Sequence, residues 1–253
     1  MNILAFDTSL AACSAAVARG LASGGPSAGS MSADAVHGEF EPMASGHAER
    51  LPQMISAVMA AAGLAFSDLD RIAVTNGPGS FTGTRIAVAA ARALALSFPR
   101  TEVVVLSSLA VMAASIAGSR PTDAAGACAP VISEAEFLIA VDARRGEVYV
   151  QHFAEGGVTA VTEPMLLPVS QAAALGGAGR LVVAGSGARA VAEAARLAGR
   201  EAEACLPGLL PDARAMCGLA SVTEPVRGAI KPLYLRPADA KAQTGKSIER
   251  VAS

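Results

Sequence analysis

Asn76-Gly77-Pro78-Gly79-Ser80-Phe81-Thr82-Gly83-Thr84-Arg85 lies between a short apolar run, Ile72-Ala73-Val74, and the alanine-rich segment Ile86–Phe98. Three glycines and a proline so close together do not suit a helix interior or a central strand. The order reads as strand, tight glycine turn and helix N-terminus. There unpaired backbone N–H groups and the positive end of the helix dipole gather. Such a turn could cradle a phosphate. Yet no lysine follows the last glycine, so the P-loop pattern fails, and G-x-G-x-x-G is not matched as written. The same glycines equally serve a turn that lets a helix pack closely on a sheet.

On the N-terminal side of this turn, Asn2–Phe6 reads as a buried strand and Cys13–Ala18 as its hairpin partner across Asp7-Thr8-Ser9. Gly20–Ala33 is Gly/Ser/Ala-rich and reads as a flexible hairpin loop. A third strand is expected at Glu39–Glu41. A helix capped by Ser45 or Gly46 should run to Ala62, where Gly63 ends it. Its residues Leu51, Met54, Ile55, Val58, Met59 and Ala62 keep helical spacing, and Pro52 falls in the tolerant first turn. A one-turn helix at Ser67–Asp70 leads into a strand at Arg71–Thr75.

Beyond the glycine turn the helix stops at Pro99. A strand at Val103–Leu106 and a helix near Ala110–Ala117 follow. Residues 119–130 read as a loop between two lobes. The second lobe opens with a hairpin, Phe137–Ala143 and Glu147–Phe153, turning at Arg144-Arg145-Gly146. A strand at Leu181–Ala184 and helices at Ala188–Ala198 and Pro211–Ala220 complete it. Sheets with hairpins and crossover helices belong to the layered α/β class. The divisions expected are an N-terminal lobe at 1–118, a C-terminal lobe at 119–236 and a frayed polar tail at 237–253.

Composition narrows the function classes. Apolar residues make up 52% of 253, which excludes disorder, whereas aromatics are only 4% with no Trp, so Ala, Val, Leu and Ile must build the core. A net charge of −2 without a basic stripe gives no support for direct nucleic-acid binding by this chain alone. The four cysteines form no C-x-x-C pair and read as buried thiols in a reducing compartment. Asp7 interrupts any signal-peptide core and no Lys or Arg precedes it. Arg85 and Arg92 interrupt the best membrane-span candidate. A cytoplasmic protein without membrane association is expected.

Several residues could carry chemistry, each with a plainer alternative. Asp7 and Thr8 could face phosphates or a metal, or satisfy their own hairpin backbone. Asp142 with Arg145 could add a second carboxylate and a cationic clamp, or simply form a polar hairpin tip. Gly185-Ser186-Gly187 could approach an adenosine, or only turn the chain into a helix. His47 and Glu49 fail H-E-x-x-H because position 51 is Leu, and neither His37 nor His152 lies at a ligand spacing. No G-x-S-x-G nucleophile elbow occurs.

The motifs Ile3-Leu4-Ala5-Phe6-Asp7-Thr8-Ser9, Gly46-His47-Ala48-Glu49-Arg50-Leu51-Pro52, Asn76 to Arg85, Asp142-Ala143-Arg144-Arg145-Gly146-Glu147-Val148-Tyr149 and Pro232-Leu233-Tyr234-Leu235-Arg236 occur in order. Together they resemble the family of bacterial tRNA threonylcarbamoyladenosine biosynthesis proteins TsaB, over residues 2 to about 236. The resemblance implies a two-lobed actin-like ATPase (ribonuclease H-like) fold with a degenerate active site, in which Ser9 replaces the glycine expected for close phosphate approach. It implies a non-catalytic scaffold for the catalytic paralogue TsaD, with the small ATPase TsaE joining, tRNA reached only through the complex, and a homodimer when the partner is absent. Relative to that family, Gly20–Ala33 reads as an insertion. No catalytic residue, metal or cofactor is assigned to the chain alone, and a nucleotide at the partner interface stays open. Candidate interface residues are His47, Arg50, Met54, Met59, Arg85, Ala89 and Arg92, on two helices that pair with the partner in the resembled family. An ATP-hydrolysing or phosphotransfer enzyme using Asp7 and Asp142, and a glycoprotease-like peptidase, are the alternatives.

Overall fold

Two five-stranded sheets organise the chain, whose computed structural model describes residues 1–21, 36–117, 136–154, 159–177 and 179–236. The first sheet has the order β3-β2-β1-β4-β5, from β1 (Ile3–Asp7), β2 (Ala12–Ala18), β3 (Val36–Pro42), β4 (Arg71–Thr75) and β5 (Glu102–Leu106). Strands β1, β2 and β3 form an antiparallel meander, while β4 and β5 run parallel to β1. The second sheet has the order β10-β9-β6-β7-β8, from β6 (Phe137–Asp142), β7 (Glu147–Phe153), β8 (Met165–Pro168), β9 (Leu181–Ala184) and β10 (Ala202–Cys205). It repeats the same scheme of antiparallel hairpins beside parallel crossovers. This is the two-lobed α/β architecture expected.

Among the described residues six helices cover the sheets: α1 (His47–Ala62), α2 (Phe81–Ser97), α3 (Ser108–Ala117), α4 (Val169–Ala172), α5 (Ala188–Leu197) and α6 (Ala213–Val222). A one-turn 3-10 helix at Phe66–Asp68 precedes β4. Strand β1 shows why the first sheet is buried on both faces. Leu4 and Phe6 point to α1 and α2, and Ile3 and Ala5 point to α6, as the two-residue strand period demands. The α6 side is lined by Ala5, Ala16, Ala18 and Ala73, whose small side chains allow the helix close approach.

Helix α3 lies between the lobes. Its Val111 joins the core of the first sheet, while Leu109, Met112 and Ile116 join that of the second, all at 0% exposure. A helix apolar all round is buried on more than one side. The first sheet draws its strands from residues 3–106 and the second from 137–205, but not every helix stays with the sheet nearest it in sequence. α6 comes after the second sheet in sequence, yet packs back on β1 and β2 of the first.

Most elements fall where the sequence puts them, with three differences. α2 begins at Phe81, within the glycine turn and ahead of the apolar run Ile86–Phe98, so Gly83 lies inside its first turn. The short elements β8, α4 and β10 were not expected. Residues 226–236 form no helix or strand, yet are tied to both lobes as described below. Most of the Gly20–Ala33 loop, the 119–130 loop and the 237–253 tail lie outside the described residues. Among the described residues no helix is long and apolar enough to cross a membrane.

Candidate functional site

The glycine turn meets the Asp7-Thr8-Ser9 turn directly. Ser80 ends the turn and caps α2, its Oγ accepting from Gly83 N at 3.0 Å. The Ser80 amide donates to the Ser9 carbonyl at 2.7 Å, and the Thr8 hydroxyl donates to the Gly83 carbonyl at 2.7 Å. A Cβ on Gly79 would fall closer than 3.0 Å to Ser9 O, and one on Gly83 closer than 3.0 Å to Thr8 O. Backbone carbonyls of the first hairpin therefore fill the space that the glycines leave open. The amides of Ser80 and Gly83 are spent within the chain, and carbonyl oxygens rather than an anion face this helix end. This favours the packing role of the glycines over a phosphate cradle.

Asp7 lies behind this contact with 0% exposure, as do Thr8 and Ser9. Its Oδ1 accepts from the Ser9 hydroxyl at 2.6 Å, from the Ser9 amide at 3.2 Å and from the Thr75 hydroxyl. Its Oδ2 is buried with no hydrogen-bond partner among the described residues. Burial pushes the carboxyl above the usual range, against the lowering effect of the Ser9 and Thr75 hydrogen bonds. A carboxylate raised in the folded state contributes stability that is present below its unfolded value, 3.8, and lost as pH climbs through the folded value. Asp7→Asn removes that dependence. Its stability is expected to gain on wild type as pH rises from the unfolded value towards the folded one, with a slope of up to about 1.4 kcal/mol per pH unit, and to level off beyond it. A fixed offset from the unpaired amide nitrogen is independent of pH, so paired melts across pH 3.5–8 read the slope. A parallel pair of curves would mean that Asp7 is ionised in the folded chain.

The second cluster sits at the tip of the β6–β7 hairpin. Asp142 is exposed, its Oδ1 accepts from the Arg144 amide at 2.8 Å, and its own amide donates to the Ser186 hydroxyl at 3.0 Å. Arg144 and Arg145 adopt left-handed φ of 63° and 59° ahead of Gly146 at 74°. In the Gly185-Ser186-Gly187 turn, a Cβ on Gly185 would collide with the Ala140 carbonyl, so these glycines also serve close strand contact. Among the described residues no hydrogen bond or ion pair joins this cluster to Asp7. Nor, among the described residues, does any group of three or more His, Cys, Asp or Glu side chains come together as a metal would need.

The candidate interface residues divide sharply. Met54 and Met59 are 0% and 3% exposed in the core of the first lobe, which removes them from the surface where the sequence reading put them. Arg50 pairs with Glu41 at 2.6 Å and Glu39 at 3.1 Å, bracing α1 on β3. His47 meets the Leu10 carbonyl through Nε2 at 3.2 Å. Arg92 donates to the Ile230 carbonyl, and Arg85 Nε donates to the Tyr234 hydroxyl at 2.7 Å. Both arginines thus hold the segment 226–236 across α2. Ala89 remains exposed. Cys13 and Cys217 are buried free thiols pushed up to about 12 by burial, and Cys205 is also buried, whereas Cys128 lies outside the described residues.

Several positioning residues escaped the sequence reading. Asn76 donates through its side chain to the Lys231 carbonyl and accepts at its own carbonyl from the Leu233 amide. Ser108 donates to the Pro78 carbonyl at 2.6 Å. Ser107 caps α3 and donates to Gln151 of β7 at 3.0 Å. The glycine turn is thereby joined to the second sheet through the start of α3. Such long-range partners leave no local sequence pattern, although Ser107-Ser108 before an apolar run is a helix-start signal.

A family model described as TsaD: tRNA N6-adenosine threonylcarbamoyltransferase matches residues 41–198, well over half of the chain. A tRNA threonylcarbamoyladenosine biosynthesis protein TsaB from Escherichia coli K12 is 32% identical over 149 residues, 59% of this chain and 53% of that protein. The chain thus spans about half the length of that relative. A tRNA N6-adenosine threonylcarbamoyltransferase from Erythrobacter litoralis is 47% identical over 57 residues, 22% of this chain and 17% of that protein. Among solved structures, a Pseudomonas aeruginosa protein described as similar to peptidase YEAZ superposes with a TM-score of 0.73 at 27% identity, covering 93% of this chain and 99% of its own. The fold matches the two-lobed actin-like architecture, and the chain belongs to the TsaD family, tRNA N6-adenosine threonylcarbamoyltransferase, where it resembles the TsaB proteins.

Proposed function

We propose that this chain is a non-catalytic subunit of the machinery that makes threonylcarbamoyladenosine in tRNA, docking to a TsaD-type catalytic protein through the outer faces of α1 and α2. The observation that carries the non-catalytic part is the filled glycine turn. Thr8 and Ser9 carbonyls occupy the space beside Gly79 and Gly83, and Asp7 is buried behind them. The surface supporting the docking part exposes Ala57, Ala60 and Ala61 on α1 with Ala89, Ala93 and Leu96 on α2, the last at 86% exposure. Small residues beside an exposed leucine let facing helices approach closely. TsaE, tRNA reached through the complex, and self-pairing in the partner's absence belong to the same proposal.

The test mixes the purified chain with a TsaD-type protein and assays the modified nucleoside with each component omitted in turn. Ala89→Glu places a carboxylate at the centre of this surface, where burial without a partner costs several kcal/mol. Complex formation and nucleoside yield are expected to fall together, while circular dichroism shows an intact fold. Unchanged association of a folded Ala89→Glu variant would move the interface elsewhere. Metal-dependent ATP turnover by the pure chain, abolished by Asp142→Ala, would overturn the non-catalytic reading.

A further inference from the structure

Arg85 is held in place but not neutralised. Its guanidinium carbon lies 3.6 Å from the Phe81 ring centroid and 5.8 Å from that of Tyr234, and the two rings stack with centroids 5.6 Å apart. Nε is satisfied by the Tyr234 hydroxyl. Among the described residues neither Nη1 nor Nη2 meets an acceptor, and Arg85 forms no ion pair. Arg50, Arg71 and Arg236, by contrast, each have a carboxylate. Phe81 and Tyr234 stay 56% and 49% exposed. An exposed arginine normally loses rotamer freedom when it binds a ligand. Here the Phe81 ring, one helical turn back, and the Tyr234 hydroxyl have already fixed the plane.

We propose that Arg85 is the anchor for a carboxylate on the protein that docks at the α1/α2 face, an inference that rests on that docking reading. A flat guanidinium with both terminal nitrogens unpaired suits two-point recognition of a carboxylate. Arginine flanked by half-exposed aromatics also has the composition of an interface hot spot. A nucleic-acid backbone is disfavoured, because phosphate tracking needs several cations and Arg92, the other cation of α2, is committed to the Ile230 carbonyl. A second copy of this chain is disfavoured too. α2 contains no acidic residue and α1 only Glu49, so a two-fold pairing of these faces offers Arg85 little to bind.

The test is titration calorimetry of the full chain against the TsaD-type protein at roughly 50 and 300 mM NaCl, using wild type, Arg85→Gln, Arg85→Lys and Ala89→Glu. Arg85→Gln is expected to weaken binding at least about tenfold at low salt and less at high salt. Arg85→Lys should recover only part of the loss, since an ammonium cannot lie flat on Phe81 or make the paired contact. Arg85 is exposed, so losing its contacts to Tyr234 and Phe81 should lower the melting temperature only slightly, and circular dichroism should show an intact fold in both Arg85 variants. Wild-type affinity in Arg85→Gln alongside weakened Ala89→Glu would overturn the carboxylate anchor and leave the docking face standing. Wild-type affinity in both would remove the docking face itself. Equal loss at both salt concentrations would overturn the ionic nature of the contact. Loss of self-association in Arg85→Gln, with binding to the TsaD-type protein unchanged, would assign the contact to a second copy.

Discussion

Gly83→Ala is expected to destabilise the chain by about 3 kcal/mol or more, although alanine is the better helix former. On propensity alone the change in the first turn of α2 would gain up to about 1 kcal/mol. Against it stands a methyl group closer than 3.0 Å to the Thr8 carbonyl oxygen and the Ser80 Oγ. Neither neighbour can yield cheaply. Thr8 O belongs to a fully buried turn, and Ser80 Oγ is the α2 cap. Relief requires α2 to lift from the sheet, which breaks the Thr8–Gly83 and Ser80–Ser9 hydrogen bonds and opens the core beneath Ala87 and Val88. Overpacking penalties of about 1–3 kcal/mol combine with the lost hydrogen bonds to outweigh propensity. For a chain of this size the melting temperature should fall by about 6–12 °C. Gly208→Ala is the control, since an added Cβ there has nothing within 4 Å. A Gly83→Ala variant as stable as wild type would mean that the two turns are not in contact in solution.

Met54→Ala should cost the isolated chain about 2–5 kcal/mol, the range for truncating a fully buried long side chain. Met54 has 0% exposure and sits among Leu4, Phe6 and the α2 residues of the first-lobe core. Ala57→Glu, on the outer side of the same helix, should leave chemical denaturation of the isolated chain nearly unchanged and act only on association. The pair separates core from docking surface on one helix. An isolated chain indifferent to Met54→Ala would return Met54 to the interface.

These residues also show how far the sequence could be read. The 3.6-residue spacing of Leu51, Met54, Ile55, Val58, Met59 and Ala62 locates the buried stripe of α1, and the structure buries those six. The same stripe cannot also be a partner surface, and methionine's adaptability gave a misleading hint at positions 54 and 59. For α2, Ser80 ahead of the glycine-bearing first turn is the cap signal that starts the helix before the apolar run Ile86–Phe98. Gly83 is helical because a neighbouring backbone leaves no room for a side chain, a requirement that no local pattern encodes. β8 and β10 are four-residue edge strands whose half-buried residues do not alternate, so their pairing partners alone define them. Asp7 was legible as a special residue but not as a buried one. Its environment is assembled from Ser9, Thr75 and a helix that begins more than seventy residues later.

The stretch 226–236 is the last described part of the chain, and its attachments reach far back. Val226 donates to Val103, Leu233 to Asn76 and Arg236 to Glu147, while Ile230 and Tyr234 receive Arg92 and Arg85. A nascent chain that has not yet emitted these residues has every strand of both sheets. It still lacks the acceptors for Asn76, Arg85 and Arg92 and the inner layer beneath Ile230. The surface around the start of α2 is therefore completed only after the strands of both sheets have been made. A product truncated before residue 226 would keep its sheets but leave the start of α2 unfinished, so on the proposed docking role the order of translation itself withholds assembly from incomplete copies.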